Sequence, residues 1–296
     1  MIKGSIVALV TPFNSDGSIN YNELEKLLNM HAISSDGILI LGTTAEADVL
    51  SLDEKLEVLK FSAKIVNKRC PLMVGAGSNN TLESMKMAKL FSSNGADFLL
   101  VITPYYNKIN ESGLVKHFEA IAESSSVPII MYNVPGRTGM NISETVIEKL
   151  YKNPKILGIK EASGNMSYAA KLVKFLSDEF LMFSGNDDLI VPMMSIGSVG
   201  VISVLANIAP KNTKRICDLC FKENYKEASL LQSKLLPVIN NLFSEVNPIP
   251  VKEAMNYLGY NVGGYRMPLD YMSASNKAKL IKELDLAKEI ILWEYA

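Results

Sequence analysis

The apolar run Ile156-Leu157-Gly158-Ile159 ends on Lys160, just before the chain leaves through Glu161-Ala162-Ser163-Gly164. An ammonium set against apolar walls loses hydration, so its charged form is disfavoured and its pKa falls. The free amine is then available near neutral pH to attack a carbonyl carbon. Most strand-end lysines instead run their stems along apolar surface and reach water, so Lys160 alone decides little. Side chains with hydroxyls follow other apolar runs: Thr43 and Thr44, Tyr105 and Tyr106, Tyr132, and Ser184 ahead of Gly185-Asn186-Asp187. A tyrosine beside an amine can shuttle the protons that carbinolamine formation and dehydration require. The resulting imine serves as an electron sink for a carbanion on the adjacent carbon.

Arg137 is one of four arginines, with Arg69, Arg215 and Arg266, and lies in Tyr132-Asn133-Val134-Pro135-Gly136-Arg137-Thr138-Gly139. A planar guanidinium grips a carboxylate with two parallel hydrogen bonds, which points to an acidic substrate; a loop ion pair is the alternative. His31 and His117 are the two histidines, both in helical stretches, where surface or half-buried packing is expected. With no Asp/Glu/His cluster at ligand spacing, a metal-dependent aldolase is disfavoured and no metal is expected.

The elements that must carry these residues recur regularly. Candidate strands span Ile6–Val10, Gly37–Leu41, Leu72–Val74, Phe98–Ile102, Ile129–Tyr132, Ile156–Lys160, Phe180–Phe183 and Gly200–Val204. Their hydrophobicity is continuous, as in parallel strands buried on both faces. Helix signals separate them, including a capping box at Ser51-Leu52-Asp53-Glu54 and an apolar stripe after Thr81. Eight strand–helix units predict an α/β fold, the (β/α)8 TIM barrel, over residues 1–224. Tyr225–Phe243, Val251–Tyr257 and Ala274–Trp293 then read as a helical C-terminal appendage over 225–296, broken at Pro248/Pro250 and Gly263/Gly264. In such a barrel the residues after each strand open onto the C-terminal face, so the hydroxyls, Arg137 and Lys160 converge there. No G-x-G-x-x-G follows the first strand, which argues against a nicotinamide cofactor, and no cofactor is expected.

Composition excludes other classes. Of 296 residues 48% are apolar and 21% charged, with net charge −1, so no field attracts nucleic acid or anionic lipid. No apolar run reaches the length of a membrane span, and the start of the chain lacks the pattern of a signal peptide. Three cysteines suit a reducing compartment, and the expected location is cytoplasmic. Cys217 and Cys220 form a C-x-x-C inside a helix, where packing as small hydrophobes is expected.

Five segments together are more specific: Gly42-Thr43-Thr44-Ala45-Glu46, Thr103-Pro104-Tyr105-Tyr106, Tyr132 through Gly139, Ile159 through Gly164, and Ser184 through Asp187. In order and spacing the chain resembles the dihydrodipicolinate synthase/N-acetylneuraminate lyase family from Lys3 to the C-terminal helices. Arg137 favours the branch that condenses pyruvate with L-aspartate 4-semialdehyde over its sugar-acid lyases; a silent metabolite-binding paralogue is the further alternative. The resemblance implies that Lys160 forms an imine with pyruvate and that Tyr132 is its acid/base. It implies that Thr43 passes protons between Tyr132 and Tyr106, with Tyr106 reaching in from a neighbouring subunit of a homotetramer, a dimer of dimers. Thr44, with backbone near Gly185 and Ile202, would hold the pyruvate carboxylate, and Arg137 the carboxylate of the semialdehyde. In relatives inhibited by lysine, positions matching Asn79, Glu83 and Tyr105 contact the inhibitor. The serine and two histidines that help them are matched here by Ala47, Leu52 and Lys55, so weak or absent feedback is implied. A second departure is Ala45, where the family's threonine motif usually has glycine; a need for positive φ there would shift the loop.

Overall fold

A computed structural model describes residues 2–291. Among them eight parallel strands close into a barrel in sequence order, with β8 returning to β1. The strands are β1 (Gly4–Ala8), β2 (Gly37–Ile40), β3 (Leu72–Gly75), β4 (Phe98–Ile102), β5 (Ile129–Asn133), β6 (Ile156–Glu161), β7 (Leu181–Ser184) and β8 (Gly200–Ser203). The barrel helices are α1 (Tyr21–Ser34), α2 (Leu52–Val66), α3 (Thr81–Ser92), α4 (Glu111–Ser124), a short α5 (Pro135–Thr138), α6 (Glu144–Leu150), α7 (Met166–Leu172), α8 (Ile190–Ser195) and α9 (Pro210–Phe221).

Both faces of each strand are buried, which is why the strand sequences are apolar without alternation. Ile6, Leu39, Met73, Leu100, Ile130, Leu181, Phe183 and Ile202 fill the barrel interior. Val7, Ile38, Val74, Leu99, Met131, Ile159, Met182 and Val201 belong to the larger core between sheet and helices. Tyr132 shares the interior cluster and pairs in register with Lys160 across β5 and β6. Strand register alone therefore sets the phenol beside the amine.

Helix starts are fixed by side chains that take the first free backbone N–H groups. Asn20, Asn80, Asn110, Ser143 and Asn165 do so for α1, α3, α4, α6 and α7, and the capping box Ser51/Glu54 forms in full at α2.

After α9 the chain forms α10 (Tyr225–Leu242), α11 (Ile249–Tyr257), α12 (Ala274–Leu286) and α13 (Lys288–Ile291). α10 packs on α8, α9 and α12. The last two residues of the helix expected over Ala274–Trp293 lie outside the described residues. Among the described residues no helix is long and apolar enough to cross a membrane.

Two expectations need correction. β1 begins two residues earlier than its apolar run suggests, because Gly4 pairs with Gly200 while the Val10 N–H turns to Asn207 Oδ1 at 3.2 Å. The histidines are not surface or half-buried groups: His31 is 0% and His117 3% exposed. Their Nδ1 atoms meet Ser35 and Thr81 hydroxyls, each at 3.0 Å, and burial pushes their pKa values down to about 3 and about 4. They are neutral packing groups on α1 and α4. Cys217 and Cys220 are buried in α9, as their helical setting suggested.

Candidate active site

A cavity of about 420 Å³ opens among the C-terminal ends of the strands, walled by Thr43, Thr44, Tyr132, Arg137, Lys160 and Gly185 among others. Lys160 is 6% exposed, and its Nζ lies 4.4 Å from the centroid of the Tyr132 ring. Burial brings its pKa down from 10.5 to about 8; the Asp187 carboxylate opposes the fall and the Arg137 guanidinium adds to it. Asp187 is itself buried behind the wall, where it accepts from Ser203 Oγ at 2.5 Å and from the Val204 and Leu205 N–H groups at 3.0 and 2.9 Å. Burial also raises the Tyr132 phenol above its ordinary value, against the pull of Arg137 and a hydrogen bond with Thr43. At neutral pH the phenol is protonated, able to give a proton to one oxygen and take one from another.

These shifts predict a pH dependence. With a pKa of about 8, about a tenth of Lys160 is free amine at pH 7, against well under a thousandth at the ordinary value. The rate of imine formation with a ketone should therefore rise about tenfold per pH unit up to about 8 and level off above it. Stopped-flow or quench measurements across this range check the expectation; a rise that continues to pH 10 would show an unperturbed lysine.

The threonines sit on a strained turn. Leu41 and Glu46 both have φ of 55, and between them Thr43–Ala45 form a single 3₁₀ turn. Gly75 makes room for it: a Cβ there would come within 2.0 Å of the Leu41 carbonyl oxygen. Ala45 is not among the positive-φ residues, and its carbonyl accepts from Thr11 Oγ1 at 2.7 Å. The left-handed position thus falls on Glu46, and alanine in place of glycine adds no backbone strain. Thr44 Oγ1 accepts from Asn247 Nδ2 at 2.9 Å, which leaves its own proton to donate. Arg137, on α5, donates from Nη2 to the Asn247 carbonyl at 3.0 Å. Gly185 has to be glycine, since a Cβ would meet that of Ala162 at 2.4 Å.

Lys160, Tyr132, Thr43, Thr44, Arg137 and Gly185 thus share one cavity, and Tyr105 lines it too. Tyr106 does not: its side chain is 91% exposed and its φ is 72. Ile202 packs inside the barrel, and Val204 stands on the cavity wall instead. Asn79 Nδ2 donates to the Tyr105 carbonyl at 3.2 Å, whereas Glu83 lies out on α3, paired with Lys86 at 2.8 Å. Sequence reasoning gave Asn186 no role beyond its place in the motif after β7 and did not single out Asn247. Both line the cavity, and their Oδ1 atoms are buried without a protein partner. The only sequence signal for Asn247 was the Pro248/Pro250 break, which read as a helix boundary.

A buried amine of low pKa, a neutral phenol beside it and a guanidinium at the rim make a site for forming an imine with a keto acid. The model of the dihydrodipicolinate synthetase family matches residues 1–287. This chain belongs to that family. Among curated members of the family, the 4-hydroxy-tetrahydrodipicolinate synthase of Clostridium perfringens is 49% identical over 285 residues, covering 96% of this chain and 98% of its own. Two solved structures in the family are close in shape. The 4-hydroxy-tetrahydrodipicolinate synthase of Methylacidiphilum fumariolicum superposes with TM-score 0.96 at 37% identity, over 100% of this chain and 99% of that one. The chloride-inhibited dihydrodipicolinate synthase of Acinetobacter baumannii, complexed with pyruvate, gives TM-score 0.95 at 39% identity, over 97% and 99% of the two chains.

Proposed function

We propose that this chain is a Schiff-base-forming lyase with 4-hydroxy-tetrahydrodipicolinate synthase activity, condensing pyruvate with L-aspartate 4-semialdehyde in diaminopimelate and lysine biosynthesis. The observation that carries the reading is Lys160, a buried amine with a depressed pKa, 4.4 Å from the Tyr132 ring in a cavity whose rim holds Arg137. Near-full-length identity to curated synthases supports the choice of substrates.

Lys160 attacks the pyruvate ketone, and Tyr132 supplies and removes the protons as carbinolamine becomes imine. Thr43, hydrogen-bonded to Tyr132, continues the proton path toward Tyr106. Thr44 and the backbone around Gly185 hold the pyruvate carboxylate, with Ile202 in the strand beneath. The enamine then attacks the aldehyde, whose carboxylate Arg137 binds, and the substrate amine displaces Lys160 as the ring closes. The unpartnered Asn186 and Asn247 oxygens offer acceptors to that amine. The outward, left-handed Tyr106 fits a residue that serves a neighbouring copy's cavity, so the working form is at least a dimer, and the family resemblance implies a homotetramer built as a dimer of dimers. Three unpaired cysteines fit a cytoplasmic enzyme. The test is condensation of the two substrates coupled to the next reductase and followed as NADPH loss. Turnover supports the reading; none from folded protein overturns it.

Feedback by lysine should be weak. The resemblance gives the inhibitor to Asn79, Glu83 and Tyr105; of these Tyr105 lines the cavity, and Lys55 lines it too. Burial disfavours the Lys55 charge and the Asp48 carboxylate favours it. An ammonium there repels the cationic groups of free lysine. In a steady-state titration, activity should hold through the sub-millimolar range of L-lysine; half-inhibition within it would contradict this.

A further inference from the structure

Glu46 closes the threonine turn with a left-handed backbone and is 5% exposed. A residue with a side chain keeps that conformation only where its surroundings over-determine it. Here the carboxylate is the handle. Oε1 accepts from Lys252 Nζ at 2.8 Å, and Oε2 from the Arg266 backbone N–H at 3.0 Å. Lys252, on α11, has no exposed surface. Its ammonium also donates to the Thr11 carbonyl at 3.1 Å and lies 4.4 Å from the Phe13 ring centroid. Thr11 in turn holds the Ala45 carbonyl through its hydroxyl. Five residues before Lys252, Asn247 donates to Thr44. The segment 247–252 therefore grips the turn at both Thr44 and Glu46.

A buried ion pair contributes little net stability, because the loss of hydration offsets much of the attraction, and an apolar pair of similar volume would serve the fold as well or better. What a charged, multiply hydrogen-bonded pair adds is a fixed direction. We propose that the Glu46–Lys252 pair positions Thr43 and Thr44, so that a segment outside the eight strands sets how tightly pyruvate is held and how fast its imine forms. The inference rests on the pyruvate reading above. Neither residue is on the cavity wall, so both are positioning residues that act through the turn.

Lys252→Met alone leaves a buried carboxylate unpaired and is destabilising for that reason. The informative variant is the double substitution Glu46→Gln/Lys252→Met, which removes both charges and keeps a carbonyl for the Arg266 N–H. Melting temperature, KM for each substrate and the rate of borohydride trapping with pyruvate are compared with wild type. The expected result is a melting temperature close to wild type, with pyruvate KM raised and trapping slowed by up to about 100-fold, the scale of a misplaced positioning group. KM for the aldehyde should stay unchanged. Glu46→Gln alone keeps one acceptor but leaves the buried Lys252 ammonium without its counter-charge, so its pyruvate kinetics are read beside its melting temperature. Lys277→Met, which cuts the 2.6 Å pair with Glu253 between α12 and α11, should leave pyruvate KM and the trapping rate at wild-type values whatever it does to the melting temperature. Pyruvate kinetics within twofold of wild type in both Glu46 variants would overturn the proposal. So would equal losses for both substrates tracking a lowered melting temperature. A wild-type protein that traps no pyruvate would overturn the underlying reading and this inference with it.

Discussion

Lys160→Ala should lower condensation by about 10⁴-fold or more, the usual scale for loss of a nucleophile that carries the covalent path. The loss should fall on kcat with the fold intact. Lys160 lies at the cavity wall, so truncation enlarges space already open to solvent instead of leaving a sealed void. Asp187, whose charge Lys160 partly offsets, keeps its three hydrogen bonds from Ser203, Val204 and Leu205. Lys160→Arg should be as inactive as the alanine variant, since a guanidinium stays protonated and cannot attack a ketone. The coupled assay with both variants, beside their melting curves, checks this. More than about a hundredth of wild-type activity in either would mean that the amine is not the nucleophile.

Tyr132→Phe should cost about 10²- to 10⁴-fold in kcat, the range for a positioned acid/base group. The substitution keeps the ring whose centroid lies 4.4 Å from Lys160 Nζ and removes the hydroxyl and its Thr43 partnership. Pyruvate KM should change little, because the carboxylate contacts proposed for Thr44 remain. Imine formation itself should slow, since carbinolamine formation and dehydration both move protons. Pre-steady-state trapping separates that slowing from any effect on later steps. Activity within a few-fold of wild type would assign proton transfer to water or another group.

Much of this was legible in the sequence because the barrel writes itself plainly. Strands buried on both faces give unbroken apolar runs, so seven of the eight fall within a residue or so of their expected positions. Lys160, Tyr132, Arg137 and the threonines were visible for a related reason: each polar group stands where such a run ends. The run at Ile6–Val10 misled because Leu9 and Val10 are as buried as the strand itself. His31 and His117 misled because a helix face does not reveal how deeply it is packed. Least legible were the partners brought in from far along the chain. Asn247 reaches Thr44 over 203 residues and Lys252 reaches Glu46 over 206. Neither stood out, since an asparagine before a proline and a lysine in a helix are ordinary residues. Only folding the appendage onto the turn after β2 gives them a role.

A covalent imine between Lys160 and pyruvate would be captured by treating the protein with pyruvate and borohydride, weighing the intact chain and mapping the modified peptide. The expected product is a single reduced pyruvyl adduct, located on Lys160 and absent without pyruvate. An unmodified chain, or an adduct on another lysine, would contradict it.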